Sequence, residues 1–405
     1  MMPNPSLKTS VPHRVFHQVE TPRAVSRLGT LDAVRGLAAL YVVMHHARML
    51  LWISQHDALV SGSRKARYMV TAASSLTFGH QAVVLFFVLS GFCIHYRQAK
   101  GIREGSATAF RLGPYLYRRA RRIIPPLYFA LILTAALGAL VHWVNPDAIS
   151  GAFLGNPNAE PFLIQNNGLS VLLGNLLFVQ SLVVPPYGNN TPLWSLAYEF
   201  HFYWMYPLFL LLRRKAGPWP ATMTVLAVSL GAGGLLTVRG DWMSSLLPVV
   251  AVWFAWVVGA LAAEVHVGGA RWPAVTRGRI VTGILALLWL ATSHRIPWRF
   301  GDLLGAVVCA QGLLLLLQSR GPNFENVPQG SWRRPAARVL QGLGAISYSL
   351  YLTHVPVLAL IAAWYYTNPH PIMPFYPFLA LAGVAASLIV GWLSYLLVER
   401  HVARH

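Results

Sequence analysis

Ten apolar runs follow one another from residue 31 to residue 398, most of them close to the roughly 20 residues that a helix needs to cross a bilayer. They fall at 31–52, 80–97, 123–143, 192–212, 219–238, 243–264, 280–294, 300–318, 340–364 and 375–398. With 55% hydrophobic and only 11% charged residues, a chain of this pattern cannot hide its apolar surface in soluble domains. The expected fold is an all-α integral membrane protein of about ten transmembrane helices. Residues 1–27 read as a basic cytoplasmic tail, 28–398 as the membrane domain and 399–405 as a short cytoplasmic tail. No apolar core of a cleaved signal peptide precedes the first run.

Charge sets the expected direction of the runs. The formal charge is +20, from 32 basic against 12 acidic residues, but the basic residues lie between apolar runs and not on a soluble surface. That distribution excludes a nucleic-acid-binding domain and fits the positive-inside rule. The tail before residue 28 and the 97–122 segment, with Arg97, Lys100, Arg103, Arg111, Arg118, Arg119, Arg121 and Arg122, belong in the cytoplasm. Residues 145–168 hold no Lys or Arg and belong outside. A further run at 169–184 is ambiguous. If it crossed, Arg213–Lys215 and every later basic loop would be inverted, so 145–191 is read as one external excursion with a short or re-entrant helix. Both termini are then cytoplasmic. Cys93 and Cys309 both lie inside apolar runs and read as buried thiols, and no metal-type Cys/His spacing is present.

Within the first run, Arg35 and His46 are ionisable groups where lipid disfavours them, which marks them as functional candidates. Eleven residues amount to about three helical turns, roughly 16 Å along the axis and about 20° around it. Both share a face, whereas His45 points about 80° away from Arg35. The alternative reading pairs Arg35 with Asp32 one turn earlier and leaves His46 a hydrogen-bonded interior histidine.

Other groups stand out. Arg118, Arg119, Arg121 and Arg122 run straight into a span; guanidinium forks there suit phosphate, and equally suit anchoring to lipid headgroups. Glu199 lies well inside an apolar run, with His201 two residues on, so it is expected to face the interior and meet a cation, His46 or Arg35 being the candidates. Trp194, Tyr198, Tyr203 and Trp204 around it suit either an interfacial belt or a sugar-stacking wall. His354, shortly before Pro356, has both a structural and a functional reading. Ser90-Gly91 suits close helix packing and is given no chemistry.

Taken in order, these stretches resemble the acyltransferase 3 family of integral membrane enzymes. Arg35 and His46 match that family's arginine, ten residues, histidine signature. Similar pieces are Gly79-His-Gln-Ala-Val-Val-Leu-Phe-Phe-Val-Leu-Ser-Gly91, Arg118-Arg119-x-x-Arg122 followed by Ile-Ile-Pro-Pro, Trp194-Ser-Leu-Ala-Tyr-Glu199, and Ser347-Tyr-Ser-Leu-Tyr-Leu-Thr-His354. Two departures stand beside them. Many members have an acidic residue before the Phe-Phe-Val-Leu-Ser-Gly run where this chain has Val84, and some carry a C-terminal esterase-like domain that is not found here.

The resemblance implies transfer of an acyl group, acetyl being expected, from cytoplasmic acyl-CoA to a hydroxyl of a cell-envelope glycan, lipid-linked sugar or small glycoside. His46 is expected as general base, Glu199 as its orienting or charge-balancing partner, and Arg35 as the group positioning the thioester. Arg118, Arg119 and Arg122 are expected to hold CoA phosphates, and Trp194, Tyr198, Tyr348 and His354 to contact substrate. The expected setting is a bacterial inner (plasma) membrane, with membrane lipids, acyl-CoA and the glycan as partners and no metal. A transporter passing protons or anions along Arg35, His46 and Glu199 is the alternative.

Overall fold

The computed structural model describes residues 22–52, 58, 62–106, 110–146, 164–239, 246–273, 278–293, 298–318, 333–367 and 376–402. The expectations for residues 1–21, for 147–163 of the external excursion, and for residues 403–405 of the C-terminal tail lie outside them. Among the described residues the chain is helical with no β-strand, the extended pairing being two isolated bridges, Asn166 with Gly188 and Gln180 with Val184.

In chain order the helices are α1 (Pro22–Leu51), α2 (Arg64–Ala73), α3 (Gly79–Arg103), α4 (Leu112–Val144), α5 (Leu169–Leu176), α6 (Leu193–Ala216), α7 (Pro218–Arg239), α8 (Leu247–His266), α9 (Arg279–Thr292), α10 (Trp298–Gln318), α11 (Arg333–Tyr365), α12 (Phe378–Ser394) and α13 (Arg400–Val402). Among the described residues seven helical segments are long and apolar enough to cross a membrane, which makes this a multi-pass membrane protein. Three of the ten expected spans fall outside that set. Helix α9 is apolar but has only 14 residues. Helices α1 and α6, with 30 and 24 residues, are long enough, but Arg35, His45, His46 and Arg48 in one and Glu199, His201 and Arg213–Lys215 in the other lower their hydropathy. The ambiguous run at 169–184 forms the eight-residue α5 and then turns, about 12 Å of helix against a hydrocarbon core of about 30 Å.

Helix α8 is the centre of the bundle. Nearly every residue from Pro248 to Glu264 is buried, as expected of a helix that is apolar all round and enclosed by others. Its closest neighbour is α3, and two glycines make that approach possible. A Cβ at Gly91 would lie 1.9 Å from the Trp256 carbonyl oxygen, and one at Gly259 would lie 2.0 Å from that of Val88. Helices α1 and α11 meet in the same way, a Cβ at Gly36 falling 2.5 Å from Gly344 N and one at Gly344 falling 2.5 Å from Asp32 O. Small residues set crossing distances where lipid offers no hydrophobic drive between helices. The two crossings fix where Arg35, His46, Ser90 and His354 stand.

Helix α4 starts eleven residues before its apolar run and continues through Pro125 and Pro126, so the arginine cluster is helical. Helix α12 runs into a single π-helical turn at Tyr395–Glu399, where Glu399 Oε2 accepts from Ser349 Oγ at 2.7 Å and from its backbone N–H at 3.3 Å. Such a turn re-aims a side chain that regular helix would point elsewhere, and π-turns frequently mark functional sites.

Candidate active site

A cavity of about 110 Å³ lies between α1, α3, α4, α6 and α11. Its cationic wall is Arg35 of α1 with Arg119 and Arg122 of α4; its other polar groups include Ser90, Cys93, Ser195, Glu199, Tyr203 and Tyr348. Arg119 and Arg122, three residues apart, both line the cavity, whereas Arg118, one turn before Arg122, is exposed and does not line it. Arg122 and Cys93 line the cavity and carry accessible surface. Cys93 is therefore not the packed thiol that the sequence suggested. Both cysteines are free.

Glu199 is half-buried in the cavity wall. Its Oε1 accepts from Tyr203 OH at 2.6 Å and from Ser90 Oγ at 2.7 Å, and Ser90 Oγ accepts in turn from Trp256 Nε1 at 3.2 Å. Glu199 shares its cavity with arginines and takes hydroxyl partners; it makes no hydrogen bond to His46. Ser90, expected only to pack, is a ligand of this carboxylate. Arg35 pairs with Asp32 through Nη1 and Oδ1 at 3.3 Å while also lining the cavity, so the local pair and the interior position coexist.

His46 is elsewhere. Its Nδ1 lies 2.9 Å from His354 Nε2, and the two rings are 5.0 Å apart. His354 is fully buried, and its Nδ1 faces the carbonyl oxygens of Tyr351 at 2.8 Å and Leu350 at 3.2 Å. Carbonyls only accept, so with neutral rings His354 Nδ1 holds the proton, its Nε2 accepts from His46 Nδ1–H, and the basic nitrogen of His46 is Nε2. The pair sits one helical turn from the cavity, because Tyr351, which lines it, lies 5.9 Å ring to ring from His354. His45 turns aside, as the spacing predicts, with Nδ1 donating to Leu76 O at 2.7 Å.

Trp194 stands edge-on to Tyr198 at 5.0 Å and to Phe87 at 6.0 Å, and stacks on His80 at 5.9 Å. Trp194 and Tyr198 lie beside the cavity and do not line it, whereas Tyr348 does. Two buried acids went unnoticed in the sequence. Glu264, fully buried, takes a two-pronged contact from Arg213 at 2.6 and 3.0 Å and a third from His95 Nε2 at 2.8 Å. Asp302 holds His80 Nε2 at 2.9 Å from both carboxylate oxygens. Both acids stand at the ends of apolar runs and read there as interfacial; the intramembrane partners His80 and His95 were the available signal.

A helical membrane body with an arginine-lined internal cavity and a paired intramembrane histidine is the frame of a membrane-embedded transferase. The chain belongs to the acyltransferase 3 family, whose model, an acyltransferase domain, matches residues 28–396. It is 25% identical to acyltransferase MdmB of Streptomyces mycarofaciens across 95% of this chain and 93% of that protein. It is 24% identical to O-acetyltransferase PaAT-1 of Phomopsis amygdali, across 81% and 71% of the two chains. It is also 24% identical to peptidoglycan O-acetyltransferase OatA of Listeria monocytogenes, matching 85% of this chain but only 56% of that protein. No solved structure matches the chain.

Proposed function

We propose that the protein transfers an acyl group, acetyl in the simplest case, from cytoplasmic acyl-CoA to a hydroxyl of a cell-envelope glycan, lipid-linked sugar or small glycoside. The observation that carries this reading is the cavity that Arg35, Arg119 and Arg122 line. Guanidinium groups in a site of reduced dielectric hold anionic oxygens strongly, and the phosphates of CoA are the anions that such a donor brings. The names of the relatives support an acetyl group and, in one case, a glycan acceptor.

In this reaction His46 Nε2 accepts the proton of the acceptor O–H as the oxygen attacks the thioester carbonyl. The C–O ester bond forms, the C–S bond breaks, and the departing CoA thiolate takes up the proton. His354 fixes the tautomer of His46 and stabilises the imidazolium, the role first expected of Glu199. Glu199 instead offsets the arginine charge and orients Ser90 and Tyr203. The topology that suits this work has ten crossings and both termini in the cytoplasm of a bacterial plasma membrane, residues 28–398 forming the catalytic unit between short tails.

The test is CoA release from acetyl-CoA by the purified protein in vesicles with a glycoside acceptor. His46→Ala should lower the rate by about 10²–10⁴-fold. An unchanged rate would remove His46 from the mechanism, and release no greater than that of a heat-killed control would remove acyl transfer itself.

A further inference from the structure

A second cavity, of about 140 Å³, is lined by Thr77, His80, Gln81, Trp289, Ser293, Gly301 and Asp302. It lies at the end of α3 opposite Arg97, Lys100 and Arg103, and no lysine or arginine is among its described lining residues. Its polar groups are hydroxyls, the Gln81 amide and the His80–Asp302 pair. The Thr77 hydroxyl donates to Ser74 O at 2.8 Å and the Ser293 hydroxyl to Leu290 O at 2.8 Å, so each presents only lone pairs to the cavity. Gln81 Oε1 is buried and has no hydrogen-bond partner. Asp302, 5% exposed, adds carboxylate oxygens. Trp289 supplies an apolar face, and it is seated deliberately: a Cβ at residue 305 would lie 2.3 Å from its indole, so Gly305 is what lets the ring lie against α10.

A cavity that sets several hydrogen-bonding groups beside one aromatic face suits a ligand that brings several hydroxyls and a C–H face. We infer that this second cavity binds a neutral polyhydroxylated ring, a pyranoside, through its hydroxyl groups. Its lining differs from that of the arginine cavity, and the two are kept apart by Trp194, which packs on His80 on one side and on Phe87 on the other. The wall at Leu76–Gly79 backs onto His45, a Cβ at Gly79 falling 2.3 Å from that ring, and the His45 ring is 5.0 Å from that of His46. Resting on the acyl-transfer reading, the second cavity is the acceptor's binding site: donor and acceptor enter chemically distinct pockets on either side of one tryptophan.

The experiment titrates methyl β-glucopyranoside into the protein in nanodiscs, free of sugar detergents, and follows saturation-transfer NMR of the glycoside. Half-saturation on the order of 1 mM is expected for so small a ligand. Trp289→Ala, and Gln81→Leu, which keeps the bulk and removes the acceptor, should each weaken binding at least tenfold. Equal binding by both folded variants, or no saturable signal with the parent protein, overturns the inference. So does saturable binding of choline in place of the glycoside, since that would make the cavity a cation site built on Asp302 and Trp289. Basal CoA release from acetyl-CoA without acceptor is read in the same preparations. Its absence in the parent protein would defeat the acyl-transfer reading and leave the glycoside result standing by itself.

Discussion

His46 Nδ1 lies 2.9 Å from His354 Nε2, joining two histidines 308 residues apart in the chain. His354 is anchored by the carbonyls of Tyr351 and Leu350, so it decides which nitrogen of His46 is basic. His354→Ala should therefore lower kcat while leaving the KM for acetyl-CoA near its original value. His354→Gln, whose side-chain oxygen can still accept from His46 Nδ1–H, should recover part of the loss. Steady-state CoA release checks both. A rise in KM at constant kcat would return His354 to substrate binding, as the family resemblance first implied.

The arginines of α4 are separable. Arg119 and Arg122 line the cavity and Arg118 does not. Hydrogen bonds to charged groups contribute about 1.5–3 kcal/mol each, so Arg122→Ala should weaken acetyl-CoA binding by about 10- to 100-fold. Arg118→Ala should change it by less than about threefold, the scale of an exposed ion pair. Isothermal titration with acetyl-CoA distinguishes the two, and an equal loss in both would mean that the cluster acts as one diffuse charge.

The helical runs, the cavity-lining position of Arg35 and Glu199, and the different directions taken by His45 and His46 were legible, because each rests on helical periodicity or on the cost of charge in lipid. What periodicity cannot give is which helices touch. Glu199 was matched to His46 on charge alone, yet α6 places it against Ser90 of α3 and Tyr203 of its own next turn. The His46 partner came from α11, whose contact with α1 depends on Gly36 and Gly344, two glycines that look alike to many others in the sequence. Ser90 read as a packing residue because Gly91 beside it is one. Glu264 and Asp302 were hidden by standing at run ends, where a charge has water within reach unless another helix covers it, as α3 does through His95 and His80.

Cys93 offers a probe of the donor cavity that needs no activity. It lines the cavity and is accessible, whereas Cys309 is half-buried on α10. With Cys309→Ser as background, N-ethylmaleimide should label Cys93, and saturating acetyl-CoA should slow that labelling several-fold. Mass spectrometry of the intact protein reads the outcome. Labelling at the same rate with and without acetyl-CoA would place the donor elsewhere.

Glu264 separates stability from chemistry. It is fully buried and holds Arg213 and His95 together, and Tyr206 OH extends the group through His95 Nδ1 at 3.0 Å. Removing one partner from a buried pair leaves uncompensated charge and costs about 3–5 kcal/mol. Glu264→Ala should thus lower the thermal unfolding midpoint in detergent markedly, because Arg213 and His95 would lose their only carboxylate among the described residues. Since Glu264 lines neither cavity, protein that remains folded below that midpoint should keep its acetyl-CoA affinity. A thermal scan paired with a binding isotherm decides it. An unshifted midpoint with lost affinity would make the Glu264 group part of the donor site and not a lock between α3, α6 and α8.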